Sequence, residues 1–447
     1  MSQSIANQSL DNLPGPAAYQ TATEYARDYL GFMTRCAQAF KEIIPLRFGG
    51  DLFCLLTNPE HIDVVLRDRL LFVKAQDLRI LKGLVGNGLL TSEGDFWQRQ
   101  RRLSQPVFHQ QRIRGYADVM VRYTQRMLEG WHEGDVLDVH HQMMRLTLDI
   151  VMKTLFDQDT TDGDASHVTN ALDTAMNWYE AREDTRFLAR LTSISRNYQY
   201  KRAIAALNET LYAMIAQRRE DGFTGDDLLT MLMQIEDADD GSRMSDQQLR
   251  DEAATLILAG HETTANVLSW TWMLLANHPR ANQRLTEELQ TVLEGQSPTF
   301  SDLPRLTYTD AVIKEAMRLY PPITDISREA TQDCEIGGYS IPKGTTLIAS
   351  QWVMHRDSRY FEQPEQFMPE RWLDGLEKRL PKGVYFPFGG GPRICIGNSF
   401  AQMEGVLILA AISQAFRLEL LPTHKIALQP SITLRPKHGI QVVLKKA

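Results

Sequence analysis

The segment Phe388-Gly-Gly-Gly-Pro-Arg-Ile-Cys-Ile-Gly397 holds the most chemically loaded residue of the chain. Cys395 follows three successive glycines and a proline, so almost no side chain precedes it. Glycine is used where backbone must approach another group closely. A helical pattern begins directly after Gly397, which puts the thiol at a helix N-terminus. Free N–H groups and the helix dipole favour a thiolate there. Arg393, two residues earlier, is placed to pair with an anion. A thiolate in a glycine cradle beside an arginine suits ligation of a flat anionic macrocycle through its iron. The other cysteines, Cys36, Cys54 and Cys334, read as small buried hydrophobes.

Polar groups also interrupt an otherwise apolar helical run at Ala259-Gly-His-Glu-Thr-Thr264. Gly260 costs a helix interior about 1 kcal/mol relative to alanine. Glu262 and Thr263 cost more unless they are paired or used. The glycine lets the helix open locally, so that a small ligand or water sits beside Thr263. His261 reads as a structural or solvent-facing residue. Upstream, Trp97 and Arg101 are four apart and share a helix face, and both can donate to an anion. Glu315-Ala-Met-Arg318 sets opposite charges on one helical face, a pattern that surface helices share.

These residues need a large, mostly helical frame. The chain has 447 residues, 43% hydrophobic and 23% charged, a globular composition and not a disordered one. A net charge of −8 argues against a general nucleic-acid binder. Four cysteines without a CxxC pair exclude a disulfide framework and a zinc ribbon, and fit a cytoplasmic location. The sequence opens without a signal-peptide pattern and has no long uncharged apolar run, so no membrane anchor is expected. Apolar residues three to four apart predict helices over 97–103, 116–131 and 136–156. Ser245 with Gln248 is a capping box, and the apolar pattern behind it runs from Leu249 to Ala276. A helix that long, apolar nearly all round, must cross the middle of a large domain. Further helices are predicted over 309–320 and 397–415. A hairpin over 45–56 turns at Gly49-Gly50, and strands are expected over 328–348 and near the C-terminus. The first twelve residues read as a flexible polar tail.

Together these motifs resemble the cytochrome P-450 family of haem-thiolate monooxygenases. The family's signature, Phe-x-x-Gly-x-Arg-x-Cys-x-Gly, is met by Phe388, Gly391, Arg393, Cys395 and Gly397. The likeness runs from Leu13-Pro-Gly-Pro16 to Leu434-Arg-Pro-Lys437, which implies a single domain over 1–447. It implies a mainly α fold with small β-sheets, and haem b buried between the long central helix and the cysteine-bearing loop and helix. Cys395 is then the axial iron ligand. Phe388, Gly389 and Gly397 would lie against the haem, and Ala259 and Gly260 would line the oxygen groove across it. Thr263 would hydrogen-bond dioxygen, and Glu262 would relay protons from solvent. Trp97, Arg101, Arg328 and Arg393 would hold the haem propionates. Glu315, Arg318 and Arg371 would form a buried structural network under the cysteine loop.

By the same likeness Leu90, Ile323, Thr324, Asp325 and Ile432 lie near the substrate, capped by residues 174–200. The branched aliphatics among them suit a lipophile. Asp325 departs from the apolar residue or proline usual in the family. It either pairs with a basic side chain or hydrogen-bonds a substrate hydroxyl or amine. Gly86–Ser92 and Thr433–Lys437 resemble the fatty-acid-hydroxylating branch, so a fatty acid or terpenoid is expected. The implied reaction inserts one atom of dioxygen into a C–H or C=C bond. Electrons come from NAD(P)H through a separate ferredoxin or flavodoxin and its reductase. Arg99, Arg102, Arg112, Arg114, Lys378, Arg379 and Lys382 are either its docking patch or a solvated face. The alternatives are a hydrogen-peroxide-driven peroxygenase and a non-catalytic haem sensor or carrier. The Glu262–Thr263 pair argues against both.

Overall fold

The long helix begins where its capping signal lies. The Ser245 hydroxyl accepts from the Gln248 N–H at 3.3 Å, and the Gln248 side chain accepts from the Ser245 N–H at 2.8 Å. The helix then runs Asp246–Asn277, about 48 Å at the α-helical rise. In this computed structural model the described residues are 8–48, 50–159, 168, 171–172, 174–176, 178–179, 193–223, 227–237 and 241–447. Of the expected cap over residues 174–200, positions 177 and 180–192 lie outside them, as does Gly49 of the expected turn.

Helices Val139–Phe156, Thr307–Leu319 and Asn398–Ala415 pack against the central helix. Its sequence divides between two hydrophobic cores. Leu249 to Leu258 belong to a core shared with Leu81, Leu84 and the helix Ser193–Glu220. Ala265 to Leu275 belong to another, shared with the cysteine helix through Val406, Leu409 and Ile412. Residues 259–264, the polar interruption, fall at the seam. A helix buried on nearly all sides satisfies its own backbone, so only the seam is left to do something else.

Five strands form the main sheet, in the order Ile43–Phe48, Asp51–Leu56, Thr346–Ser350, Asp325–Ala330, Phe72–Lys74. The register pairs Lys74 with Arg328 across antiparallel strands. The hairpin closes at Phe48 opposite Asp51, as the sequence pattern predicts. A second sheet joins Phe416–Leu420, Gln441–Lys446 and Val136–Asp138. A short hairpin, Leu428–Pro430 with Leu434–Pro436, carries Ile432 and Thr433 in its turn.

One expectation is corrected. Gln8–Ser9 is no tail but a parallel strand beside Tyr339–Ser340. Leu10 is 2% exposed and belongs to the core that the cysteine loop's Phe386 also enters. A single buried leucine, set among polar residues, gave too weak a pattern to predict this.

Candidate active site

The cysteine loop is shaped by its glycines. Gly389 and Gly391 have φ of 76° and 63°. A Cβ on Gly391 would lie 2.3 Å from the Leu66 carbonyl oxygen, so this approach to the helix Pro59–Arg67 requires glycine. The Cys395 N–H donates to the Phe388 carbonyl at 2.9 Å and closes the loop. The Gly397 N–H donates to the sulfur. Cys395 is exposed, yet burial pushes its thiol above the ordinary value, against the Gly397 N–H and the Arg101 charge. Both hold if the sulfur opens onto a narrow internal cleft and not onto bulk water. That burial penalty acts on the sulfur only while no metal is bound. A bound metal would deprotonate it.

The central helix opens at the seam between the cores. Ala259 is exposed and Gly260 and Thr263 are half-buried, in a helix whose interior is otherwise buried. The Thr263 hydroxyl donates to the Ala259 carbonyl at 2.8 Å. Glu262 turns away from this opening and is 1% exposed. Its Oε1 accepts from Arg435 Nε at 2.8 Å and from the Thr433 hydroxyl. Burial alone would raise its pKa. The charge and hydrogen bond of Arg435, with Thr433, outweigh that and hold the carboxyl below the usual range. His261 is buried, its Nδ1 2.7 Å from the Ile257 carbonyl, and is structural rather than solvent-facing.

A cluster of cations lies beside the cysteine loop. Lys74 and Arg328 are 4% and 6% exposed and face each other across the sheet. Like charges directly opposite destabilise a sheet unless an anion joins them. Burial lowers the Lys74 pKa to about 7, Glu93 raises it, and the charges of Arg393 and Arg328 lower it further. Burial likewise lowers Arg328 to about 10. Arg393 pairs with Glu93 and donates to the Phe72 carbonyl at 2.8 Å, while its Nε is buried without a partner. Trp97 is enclosed by Arg393, Lys74 and Arg69, whose charges lie 5.5–6.0 Å from its ring. Arg101 departs from expectation. Its guanidinium turns to the cysteine loop and donates to the Ile394 carbonyl at 2.7 Å, instead of joining this cluster.

Glu315 sits beneath the loop at 0% exposure. Arg318 grips both its oxygens at 2.9 Å, and Arg371 Nε and the Trp372 indole N–H reach it at 3.0 and 2.9 Å. Arg318 also donates to the carbonyls of His355, Pro364 and Gln366. Two helical residues thus fasten the irregular coil that leads to Cys395.

Among the expected substrate residues, Leu90 and Ile432 are half-buried and pack against one core, as does Ile396 beside the cysteine. Ile323 is half-buried and Thr324 buried. Asp325 accepts from the hydroxyls of Tyr29 and Thr324 and makes no ion pair among the described residues. The expected basic partner is thus replaced by a tyrosine. Of the expected docking patch, Arg99 and Arg102 are neutralised by buried Asp237 at 2.8 and 2.5 Å. Arg114, Lys378, Arg379 and Lys382 remain exposed.

Comparison with known proteins decides the family. The cytochrome P-450 family description matches residues 18–444. The chain belongs to the cytochrome P-450 family. It is 36% identical over 401 residues to cyclooctatin synthase of Streptomyces melanosporofaciens, covering 89% of this chain and 87% of the relative. It is 34% identical over 388 residues to cyclooctat-9-en-7-ol 5-monooxygenase of the same organism, covering 86% and 84%. Pentalenene oxygenase of Streptomyces avermitilis is 32% identical over 402 residues, covering 90% and 89%. The crystal structure of the cytochrome P450DA heme domain superposes with a TM-score of 0.88 at 26% identity, covering 99% and 98% of the two chains. The chain is a cytochrome P-450 monooxygenase, with haem, a cysteine thiolate ligand, dioxygen and reducing equivalents as its chemistry. Among the described residues no helix is long and apolar enough to cross a membrane.

The residues present fit a haem. An exposed sulfur sits on a glycine-built loop, and the unpartnered Arg393 Nε and buried Arg328 suit carboxylates, while Lys74 Nζ donates to the Leu89 and Ser92 carbonyls at 2.9 and 2.7 Å and keeps one N–H for such a group. When bound, the haem supplies dioxygen activation at its iron. Sequence reasoning missed Lys74, Glu93, Thr433 and Arg435. Lys74 and Arg435 carried no local signal, because their side-chain partners Leu89, Ser92 and Glu262 lie 15 or more residues away.

Proposed function

We propose that this monooxygenase oxidises a lipophilic terpenoid, with Cys395 as the axial ligand and Lys74, Arg328, Arg393 and Trp97 at the haem propionates. The carrying observation is that Cys395 is exposed on its glycine-built loop while Ala259, Gly260 and Thr263 break the burial of the central helix. Leu90, Ile323 and Ile432 present branched aliphatic surface that binds a hydrocarbon skeleton and excludes water. Glu262 and Thr263 manage the two protons that accompany two electrons as one oxygen atom enters the substrate and the other leaves as water. Glu262 relays protons from the solvent side by leaving Arg435 and turning to the opening, and the Thr263 hydroxyl hands them on by exchanging its bond to the Ala259 carbonyl. The terpenoid class is supported by the names of three relatives, two of them concerned with cyclooctatin and one with pentalenene.

Electrons arrive from NAD(P)H through a ferredoxin or flavodoxin, docked by exposed Arg114, Lys378, Arg379 and Lys382. The test is turnover of a terpenoid panel with a ferredoxin–reductase system and, separately, with hydrogen peroxide. Oxygenated products that require the reductase support this reading. Products made equally well by peroxide alone support the peroxygenase. Haem binding without product from either supports a carrier.

A further inference from the structure

Asp325 is an anomaly among the aliphatic residues proposed to meet the substrate. It opens the strand Asp325–Ala330, two residues after Ile323. Its Oδ1 accepts from the Tyr29 hydroxyl and, at 3.2 Å, from the Thr324 hydroxyl. Oδ2 makes no hydrogen bond among the described residues, and it is not sealed from contact. Asp325 and Tyr29 are both half-exposed, yet burial dominates both titrations and pushes the Asp325 carboxyl up to about 6. A side chain that is accessible but poorly hydrated lines a crevice.

That crevice has an aromatic wall. Tyr25 meets Tyr29 edge-on at 4.7 Å and Phe48 at 4.9 Å, and Phe48 meets Phe53 at 5.2 Å. Tyr25 is 38% exposed, so the wall reaches the surface. Its inner end, Tyr29, points a hydroxyl at Asp325. The next strand residue, Ile326, lies against Gly389 of the cysteine loop. Strand alternation turns Asp325 the other way, toward Tyr29. The carboxyl therefore lies apart from the reacting centre, where it would hold the far end of a substrate.

We propose that Asp325, with Tyr29 and Thr324, forms a polar subsite that accepts a hydrogen bond from a hydroxyl group on an otherwise hydrocarbon substrate. The preferred substrate is then a terpenoid alcohol and not its parent hydrocarbon, and a prior hydroxylation or hydration must supply it. Tyr29 and Thr324 occupy Oδ1 and leave Oδ2 for the ligand. An uncompensated carboxylate in apolar surroundings gains more from a donor than a solvated one does. This inference rests on the terpenoid reading above and sharpens it.

The test is a ferric Soret titration of the holoenzyme with four probes on one skeleton: farnesene, farnesol, farnesyl methyl ether and farnesylamine. Farnesol should bind roughly tenfold more tightly than the ether, which cannot donate, as expected for a hydrogen bond to a charged acceptor. In Asp325→Ala and Asp325→Asn that alcohol-to-ether ratio should fall to near one. Unchanged affinity for farnesyl methyl ether in both variants guards against misreading a folding defect. Binding of farnesene with no preference for farnesol overturns the subsite but leaves the terpenoid reading standing. A ratio that survives Asp325→Ala also overturns it. Tenfold tighter binding of farnesylamine than of farnesol overturns the hydroxyl assignment in favour of a cation. Failure of all four probes to bind overturns the terpenoid reading and this inference with it.

Discussion

Arg435 Nε lies 2.8 Å from Glu262 Oε1, and the Thr433 hydroxyl donates to the same oxygen. A turn at the C-terminal end of the chain thus holds the acid of the central helix. Its neighbour Ile432 is half-buried against the core, so the residue proposed to touch substrate adjoins the residue that holds the relay acid.

The pair makes a pH-dependent prediction. Removing one partner of a buried ion pair costs about 3–5 kcal/mol. Arg435→Leu is predicted to lower unfolding free energy by that order near neutral pH. In the parent protein the Glu262 pKa is depressed, so its stabilisation is present above the ordinary carboxylate range and is lost as pH falls through the folded value. Without Arg435 only the Thr433 hydrogen bond and the His261 charge oppose burial, and the pKa rises. The variant's deficit should then shrink as pH falls toward acid, when the carboxyl takes a proton. Denaturant melts across that range check this, and a deficit that does not vary with pH would refute the pairing.

Thr263 lends itself to a separation of chemistry from stability. Among the described residues its hydroxyl bonds only within its own helix, to Ala259. Thr263→Ala should therefore change stability by no more than about 0.5 kcal/mol. Released peroxide should rise and product per dioxygen consumed should fall. Peroxide and product counted in the same reaction measure this, and unchanged coupling would remove Thr263 from the relay.

Glu404, in the cysteine helix, is 0% exposed, and neither oxygen has a hydrogen-bond partner of good geometry. Burial pushes its carboxyl up to about 8, with the Thr264 hydroxyl opposing. Its stability contribution is present below the unfolded value and is lost as pH rises through about 8. Wild type should lose stability, on the order of a few kcal/mol, between mildly acidic and mildly alkaline pH. Glu404→Gln should remove most of that slope. Parallel pH profiles for the two proteins would mean that Glu404 is not the titrating group.

Glu315 organises two arginines, an indole and a backbone N–H. Glu315→Ala leaves Arg318 charged at 0% exposure, which should cost at least about 3 kcal/mol. Haem retention on gel filtration should fall with it. Arg371→Lys, which keeps the charge but loses the planar fork, should show a smaller loss of both. Full haem retention in Glu315→Ala would separate the network from the cysteine loop.

Much of this was legible in the sequence where the signal is local. The capping box at Ser245 and Gln248, the long apolar run behind it and the glycines before Cys395 each act within a few residues. What escaped depends on distant partners. Arg435 meets Glu262 across the fold, and Lys74 meets Arg328 only because of strand register. Arg101 shows the converse. Helical spacing put it on the face of Trp97, but a neighbouring carbonyl of the cysteine loop drew its guanidinium away. Arg99 and Arg102 looked like free charges because Asp237, their common partner, is far off in sequence.

The central claim is that Cys395 is the thiolate ligand of a haem in this fold. Its most direct test is the ferrous–carbon monoxide difference spectrum of the purified protein, recorded beside Cys395→Ser. The prediction is the long-wavelength Soret band of a thiolate-ligated haem in the wild type, and its loss in the variant. A wild-type band at the position given by histidine ligation, or a thiolate band that persists in Cys395→Ser, would contradict it.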